Sequence, residues 1–224
     1  MNTPIQDFLR SYAGSAAVRF HMPGHKGRGP LGCENWDITE IAGADSLYEA
    51  NGIIAESEAN ATALFGSGRT LYSTEGSSQC IRAMLYLARL TCPEKPRPVI
   101  LAARNVHKAF LYAAAALDLA VSWLWPESDT DSLCACPVTP AGLKAALEGM
   151  DAPPAAVYVT SPDYLGNRLD IAALADVCHS RGVLLLVDNA HGAYLRFLPA
   201  DSHPITLGTT ASPAITPRWL PPRI

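Results

Sequence analysis

From about residue 46 onward, short apolar runs alternate with segments whose apolar positions recur at helical spacing. An uninterrupted run such as 183–187 is typical of a strand buried on both faces. The i, i+3, i+4, i+7 stripe within 77–91 is typical of an amphipathic helix. The predicted strands are 71–73, 99–102, 121–125, 155–160 and 183–187. The predicted helices are 56–65, 77–91, 106–119, 140–150 and 170–180.

Strands that alternate with helices form right-handed βαβ units, so the predicted fold class is α/β, with a mainly parallel sheet and helices on both faces. Two helices carry boundary signals. Thr139 and Pro140 suit the start of the helix predicted at 140–150. Asp170 suits the start of the helix predicted at 170–180, and Gly182 suits its end. In such sheets ligands bind beyond the carboxyl ends of the strands, which is therefore where functional residues are expected.

The pattern divides the chain into three parts. Residues 1–45 are expected to be irregular, with Gly and Pro concentrated in 23–32, and residues 46–208 carry the α/β alternation. Residues 209–224 contain four prolines. Because proline cannot donate to a strand ladder, this tail is not expected to form a central strand.

Composition excludes several classes of protein. With 49% apolar and 17% charged residues the chain is not a disordered one, and a net charge of −4 argues against nucleic-acid binding. No apolar run reaches the ~18 residues of a membrane span, and the N-terminus lacks the apolar stretch of a signal peptide. Cys134 and Cys136 are too close for the usual zinc spacing, so no metal site is expected. Free thiols in a reducing cytoplasm are the simplest interpretation of the six cysteines.

Four polar clusters follow predicted strands, at 73–79, 104–108, 160–166 and 188–192. In the first, Gly76 precedes Ser77 and Ser78 at a helix start, which suits either a phosphate site or an ordinary helix cap. In the second, His107 could stack on a ligand or be a surface histidine. The third offers the hydroxyls of Thr160 and Ser161 in a segment that could equally be a structural turn.

The fourth cluster is the most informative. A buried strand delivers Asp188, and His191 follows on the next turn. A buried carboxylate needs a cationic or hydrogen-bonding partner, such as a protonated pyridine nitrogen, although a nucleotide–metal site also uses a strand-end Asp. Taken together, the four clusters complement the phosphate, ring faces, phenolic oxygen and ring nitrogen of pyridoxal 5'-phosphate.

These motifs resemble those of the ornithine/lysine/arginine decarboxylases, which are fold type I pyridoxal-phosphate enzymes, and in particular their shorter bacterial subgroup. The resemblance begins near residue 5 and runs to Gly208. It implies that residues 46–208 are an incomplete large cofactor-binding domain. The motifs that carry the resemblance are FHMPGHKG at 20–27, DITE at 37–40, DSL at 45–47, GIIAESE at 52–58, RNVHK at 104–108, TSPDYLG at 160–166 and VDNAHGA at 187–193.

The resemblance implies a role for each candidate residue. Asp188 would pair with the ring nitrogen, His107 would stack on the ring, and His191 would lie near the reacting carbon. Thr160 or Ser161 would approach the phenolic oxygen. Gly76, Ser77 and Ser78 would hold the phosphate, although this chain has Glu75 where the family often has Asn.

The implied reaction is decarboxylation of arginine, lysine or ornithine to an amine and CO₂, in a cytoplasmic homo-oligomer. The family lysine that holds the cofactor lies in a Ser-x-His-Lys segment without a counterpart here, because the chain's lysines are Lys26, Lys95, Lys108 and Lys144. The chain alone is therefore expected to be an inactive, truncated fragment. The alternative is a non-catalytic fragment that binds cofactor or pairs with another subunit.

A nucleotide-binding α/β domain is a third interpretation. It requires a fingerprint such as G-x-G-x-x-G after a strand. Gly66-Ser67-Gly68 is the nearest approach and lacks the third glycine, so this interpretation is disfavoured.

Overall fold

The computed structural model describes residues 1–127, 132–212 and 216–217. The chain forms two compact units, residues 1–64 and residues 65–224. The three-part division drawn from the sequence stays a prediction. Most of the expected tail, 209–224, lies outside the described residues.

The first unit is more helical than the sequence suggested. Helix α1 spans Pro4–Ala13, and a short 3-10 turn spans Glu34–Trp36. The expectation that residues 1–45 are wholly irregular is therefore wrong. Proline suits the first helical position, and Thr3 donates to the Asp7 carboxylate through its backbone nitrogen (3.0 Å) and its hydroxyl (2.9 Å), which fixes the first turn.

Helix α2 spans Ile53–Phe65, and a carboxylate organises the loop that leads into it. Asp45 has a positive φ of 64° and accepts four backbone N–H groups. They belong to Ser46 (2.8 Å), Asn51 (3.2 Å), Gly52 (2.8 Å) and Ile54 (3.0 Å). The bonds from Gly52 and Ile54 occupy donors that a helix start otherwise leaves unpaired.

The second unit is built on a mainly parallel sheet, which confirms the predicted fold class. Its strands are β1 (Val99–Ala103), β2 (Ala120–Leu124), β3 (Ala156–Thr160), β4 (Leu184–Asp188), β5 (Ala211–Ser212) and β6 (Thr216–Pro217). The order across the sheet is β2-β1-β3-β4-β5-β6. Every pairing is parallel except that of β5 with β6.

Helices cover both faces of this sheet. They are α3 (Gly76–Leu90), α4 (Lys108–Ala116), α5 (Pro140–Glu148) and α6 (Ile171–His179). Residues of α3 and α4 pack in one apolar core and residues of α5 and α6 in the other, with alternate strand residues pointing to each. No helix in the described ranges has both the length and the apolar character needed to cross a bilayer.

The helix boundary signals are confirmed. The Thr139 hydroxyl accepts from the Gly142 nitrogen (3.0 Å), Asp170 accepts from the Ala173 nitrogen (3.1 Å), and Gly182 has a φ of +66°. The predicted strand at 71–73 is wrong. The Ser73 hydroxyl instead donates to the Gly76 carbonyl (3.2 Å) and the Gln79 side chain (2.6 Å), which ties this segment to the start of α3.

Candidate functional site

Asp188 is the last residue of β4 and is only 4% exposed. It is paired in register with Thr160 on β3. The Tyr158 hydroxyl donates to its Oδ2 (3.1 Å), and the Ala190 nitrogen donates to its Oδ1 (3.2 Å). The carboxylate is thus fixed at the carboxyl edge of the sheet by one hydrogen bond to each oxygen.

The register explains why Tyr158 reaches this carboxylate. Tyr158 is paired with Leu186, and Asp188 lies two residues further along β4. Side chains two residues apart lie on the same face of a sheet, so Tyr158 and Asp188 are diagonal neighbours. Tyr158 and Leu186 both belong to the core that contains α3 and α4, so the Asp188 carboxylate lies on that face.

Burial raises the pKa of Asp188, and four surrounding groups counter this effect. They are the Ala190 nitrogen, the Tyr158 hydroxyl, His107 and His191. None of the side-chain ion pairs in the described parts of the chain includes Asp188. A buried carboxylate without a basic side chain as partner is chemically suited to a cationic ligand group.

His107 is held in one orientation as the N-terminal cap of α4. Its Nδ1 accepts from the Ala109 nitrogen (3.2 Å). Because an accepting ring nitrogen carries no proton, neutral His107 has its proton on Nε2. The sequence left open whether His107 is a ligand-facing or a surface histidine. His107 follows the carboxyl end of β1, and its charge opposes the rise in the pKa of Asp188. That it faces a ligand stays a prediction.

His191 lies on the tight turn after β4. Its ring contacts Tyr164, with centroids 4.9 Å apart. The turn closes through a bond from the Gly192 nitrogen to the Asn189 carbonyl (2.9 Å). A Cβ at position 192 would lie 1.9 Å from the Asn189 amide oxygen and 2.6 Å from Pro162, so this close approach requires glycine.

The two candidate hydroxyls of the third cluster lie on opposite faces of the sheet. Thr160 is in register with Asp188, and its hydroxyl donates weakly to the Asn105 carbonyl (3.5 Å). The Ser161 hydroxyl instead accepts from the Leu169 nitrogen (3.1 Å) and borders a cavity of about 480 Å³ beside the start of α6. Only Thr160 is therefore on the face that carries the Asp188 carboxylate.

The start of α3 is open and has no side-chain cap. Gly76 has a φ of +63°, and a Cβ there would meet nothing within 4 Å. The preceding residue, Glu75, makes no capping bond and pairs with Arg82 instead. The backbone N–H groups of this first turn, including those of Ser77 and Ser78, lie at the positive end of the helix dipole.

Cys80 connects the start of α3 with Asp188. Burial raises the pKa of the Cys80 thiol, and the Asp188 charge raises it further, whereas a hydrogen bond with Ser73 lowers it. Cys80, one helical turn into α3, is therefore close to Asp188. That the first and fourth clusters form one site stays a prediction.

Sequence reasoning missed Tyr158, Cys80 and Arg82. Tyr158 was detectable from the sequence, because it is the one large polar side chain inside a buried strand. It lies two residues before Thr160 and therefore on the same face of the strand. Arg82 stands seven residues after Glu75, which is two helical turns. Cys80 carries no sequence signal of its own, because its place beside Asp188 depends on how α3 packs on the sheet.

The fold and the strand-end cluster define an α/β protein with a candidate ligand site at the carboxyl edge of a mainly parallel sheet. The sequence profile of the family described as Orn/Lys/Arg decarboxylase, major domain, matches residues 3–216. The chain belongs to this family.

Curated relatives agree with that assignment, and a solved structure has a similar fold. The chain is 30% identical to arginine decarboxylases of Halalkalibacterium halodurans, over 87% of this chain and 40% of that protein, and of Bacillus subtilis, over 87% and 41%. It therefore spans about 40% of the length of these relatives. The lysine decarboxylase of Francisella novicida has a similar fold, with a TM-score of 0.71, 20% identity, and coverage of 95% of this chain and 32% of that one.

Proposed function

We propose that this chain supplies the pyridoxal-phosphate-binding part of a decarboxylase that acts on arginine, lysine or ornithine. The observation that carries the proposal is the buried carboxylate of Asp188, which lacks a basic side-chain partner among the described ion pairs and lies beside two histidines at the sheet edge. The names of the relatives support a basic amino acid as substrate.

The residues present fit the cofactor. The Asp188 carboxylate would pair with the cationic ring nitrogen, and this pairing would offset the desolvation that raises the pKa of Asp188. The open turn at Gly76, Ser77 and Ser78 would hold the phosphate through backbone N–H groups and two hydroxyls. The Glu75 carboxylate need not repel the phosphate, because Arg82 pairs with it.

Three further residues would complete the site. The His107 ring, fixed by its capping bond, would cover one face of the cofactor ring. Thr160 would approach the phenolic oxygen, since the Ser161 hydroxyl lies on the other face and is already bonded to the Leu169 nitrogen. His191 would lie near the reacting carbon.

When bound, pyridoxal phosphate would supply an aldehyde that reacts with amines and a cationic ring that withdraws electrons from the α-carbon of the substrate. Asp188 would keep the ring nitrogen protonated, because its ionised carboxylate would stabilise that proton. His107, with its proton on Nε2, excludes water from one face. A ring nitrogen of His191 can hold a proton for return to the α-carbon.

The test is cofactor binding, measured by equilibrium dialysis and absorbance. We expect the chain to retain pyridoxal phosphate and the Asp188→Asn variant to lose at least about tenfold in affinity, since a hydrogen bond to a charged group contributes roughly 1.5–3 kcal/mol. Asp176→Asn, an exposed change on α6, is the matched control. Equal affinity in the wild type and Asp188→Asn would contradict the proposal.

Borohydride treatment of the same samples tests the alternative of a non-catalytic cofactor-binding fragment. Lys95 donates to the Pro153 carbonyl (3.2 Å), and Lys144 lies on α5 within 4.0 Å of Glu148. Lys26 belongs to the amino-terminal signature and Lys108 follows His107, so neither matches the family's cofactor lysine. We therefore expect no stoichiometric labelling of any lysine. Labelling of one lysine, with CO₂ release above a cofactor-only control, would refute the inactive-fragment expectation.

Association and location remain part of the proposal. The family resemblance supports a homo-oligomer that takes an amino-acid substrate. A cytoplasmic location stays a prediction based on the cysteine content.

A further inference from the structure

Tyr158 is a buried hydroxyl whose only described partner is the Asp188 carboxylate. Its ring is fully buried and packs against Phe110 on α4, with centroids 4.6 Å apart. The hydroxyl lies 3.1 Å from Oδ2 of Asp188. A tyrosine in the middle of a buried strand must satisfy this hydroxyl, and Asp188 is the group that does so.

We propose that Tyr158 is a positioning residue for Asp188, which fixes the carboxylate from within the sheet and favours its ionised form. The inference rests on the proposed function, in which Asp188 holds the protonated ring nitrogen. In this proposal Tyr158 acts through Asp188 and not by contact with the cofactor. It orients Oδ2 from the core side, so that the carboxylate is already aligned before a ligand arrives.

The direction of the effect follows from the hydrogen bond. A neutral O–H donor stabilises a carboxylate more than a carboxylic acid, so it opposes the desolvation that raises the pKa of Asp188. In return, burial and the nearby Asp188 charge raise the pKa of Tyr158 well above its ordinary value, which keeps the hydroxyl protonated as a donor. The pair is therefore a fixed neutral donor and a charged acceptor.

The groups that face Asp188 come from four elements. Tyr158 approaches from β3, His107 from the start of α4, and Cys80 from α3. His191 and the Ala190 nitrogen approach from the turn after β4. The hydrogen bond from Tyr158 to Asp188 can be removed by a side-chain substitution, because its donor is a side-chain hydroxyl. The bond from the Ala190 nitrogen cannot be removed in this way, because its donor is in the backbone.

The experiment is the Tyr158→Phe variant of the full chain, which keeps the buried ring and removes the hydroxyl. The pKa of the Asp188 carboxyl is measured by NMR in protein labelled with ¹³C-aspartate, with Asp188→Asn identifying the signal. We expect the pKa of Asp188 to rise by about one unit, the size of one hydrogen bond to a charged group. The matched control is Tyr112→Phe, because Tyr112 lies on α4 and is 69% exposed. This substitution should leave the pKa of Asp188 unchanged.

Cofactor binding provides a second measurement. The acid limb of the pH profile of pyridoxal-phosphate affinity should move upward in Tyr158→Phe by the same amount as the pKa of Asp188. Tyr158→Phe should have no further effect in an Asp188→Asn background. Circular dichroism checks that the variants fold.

The outcomes separate the two proposals. An unchanged pKa of Asp188 in Tyr158→Phe would overturn the role of Tyr158, whether or not the cofactor binds. A raised pKa in a wild-type chain that does not bind pyridoxal phosphate would support the role of Tyr158 as an orienting donor and refute the proposed function.

Discussion

At the scale of single residues, the turn that carries Asp188 and His191 is anchored by a buried histidine. His203 is fully buried, and its Nδ1 accepts from the Ile205 nitrogen (3.2 Å). Its Nε2 lies 3.0 Å from Nδ2 of the Asn189 side-chain amide. This contact links the site turn to the segment around His203.

This arrangement predicts a pH dependence of stability. Burial lowers the pKa of His203 from 6.5 to about 4, an effect that Asp201 opposes and Arg196 reinforces. The unfolded state therefore binds the proton first as pH falls, so this contribution to stability is complete above pH 6.5 and is lost toward pH 4. The loss amounts to about 3 kcal/mol at most.

Urea unfolding at a series of pH values between 5 and 6.5 measures this effect. The window stays above most carboxylate titrations, so the slope of the unfolding free energy against pH reports chiefly on histidines. We expect His203→Gln to flatten the slope and the exposed control His179→Gln to retain it. The same slope in wild type and His203→Gln would show that His203 is not the source.

At the scale of elements, the start of α3 combines an anion site with an acidic residue. Glu75 pairs with Arg82, which lies two turns further along the same side of the helix. Removal of Arg82 would leave an uncompensated carboxylate beside the proposed phosphate position. We expect Arg82→Ala to weaken pyridoxal-phosphate binding about two- to fivefold, the range of an exposed ion pair.

The double variant Glu75→Gln/Arg82→Ala isolates this effect. It should restore most of the affinity, since both charges are then absent, and raised salt should reduce the Arg82→Ala defect. Lys144→Ala, which removes an exposed pair with Glu148 on α5, is the control. If the double variant binds as weakly as Arg82→Ala, Arg82 contributes by contact rather than by neutralising Glu75.

Elements also show what the sequence could predict. The apolar runs that became β1, β3 and β4 and the capping signals at Thr139 and Asp170 are local properties, so they were readable without a structure. The choice between Thr160 and Ser161 was not, because it depends on the register of β3 against β4. The Asp188–Tyr158 bond depends on the same register, since the two residues are 30 positions apart in sequence.

The helix α1 was missed for a different reason. Its start signal, Thr3 followed by Pro4, is present in the sequence. The glycines and prolines of 23–32 are typical of irregular structure, but they lie outside this helix. The strand at 71–73 failed because three residues form a strand only with a neighbour, and Ser73 bonds to α3 instead. Pairing between strands depends on tertiary structure, which the local sequence alone does not determine.

At the scale of the whole molecule, the outer surface of α3 and α4 is unusually apolar. Five large side chains are about half exposed or more on these two helices. They are Tyr86 (51%), Leu87 (48%), Leu90 (53%), Leu111 (46%) and Tyr112 (69%). Exposed large apolar side chains favour self-association where they form a patch.

We therefore expect the 224-residue chain, expressed alone, to self-associate or aggregate, in keeping with the homo-oligomer that the family resemblance supports. Analytical ultracentrifugation over a range of concentrations measures this association. Leu90→Lys together with Leu111→Lys should shift the distribution toward monomer, because each change places a charge on the apolar surface. Leu133→Lys, at a fully exposed leucine outside α3 and α4, is the control. A wild-type chain that sediments as a monodisperse monomer and unfolds cooperatively would contradict the expectation, since the exposed leucines would then be tolerated without a partner.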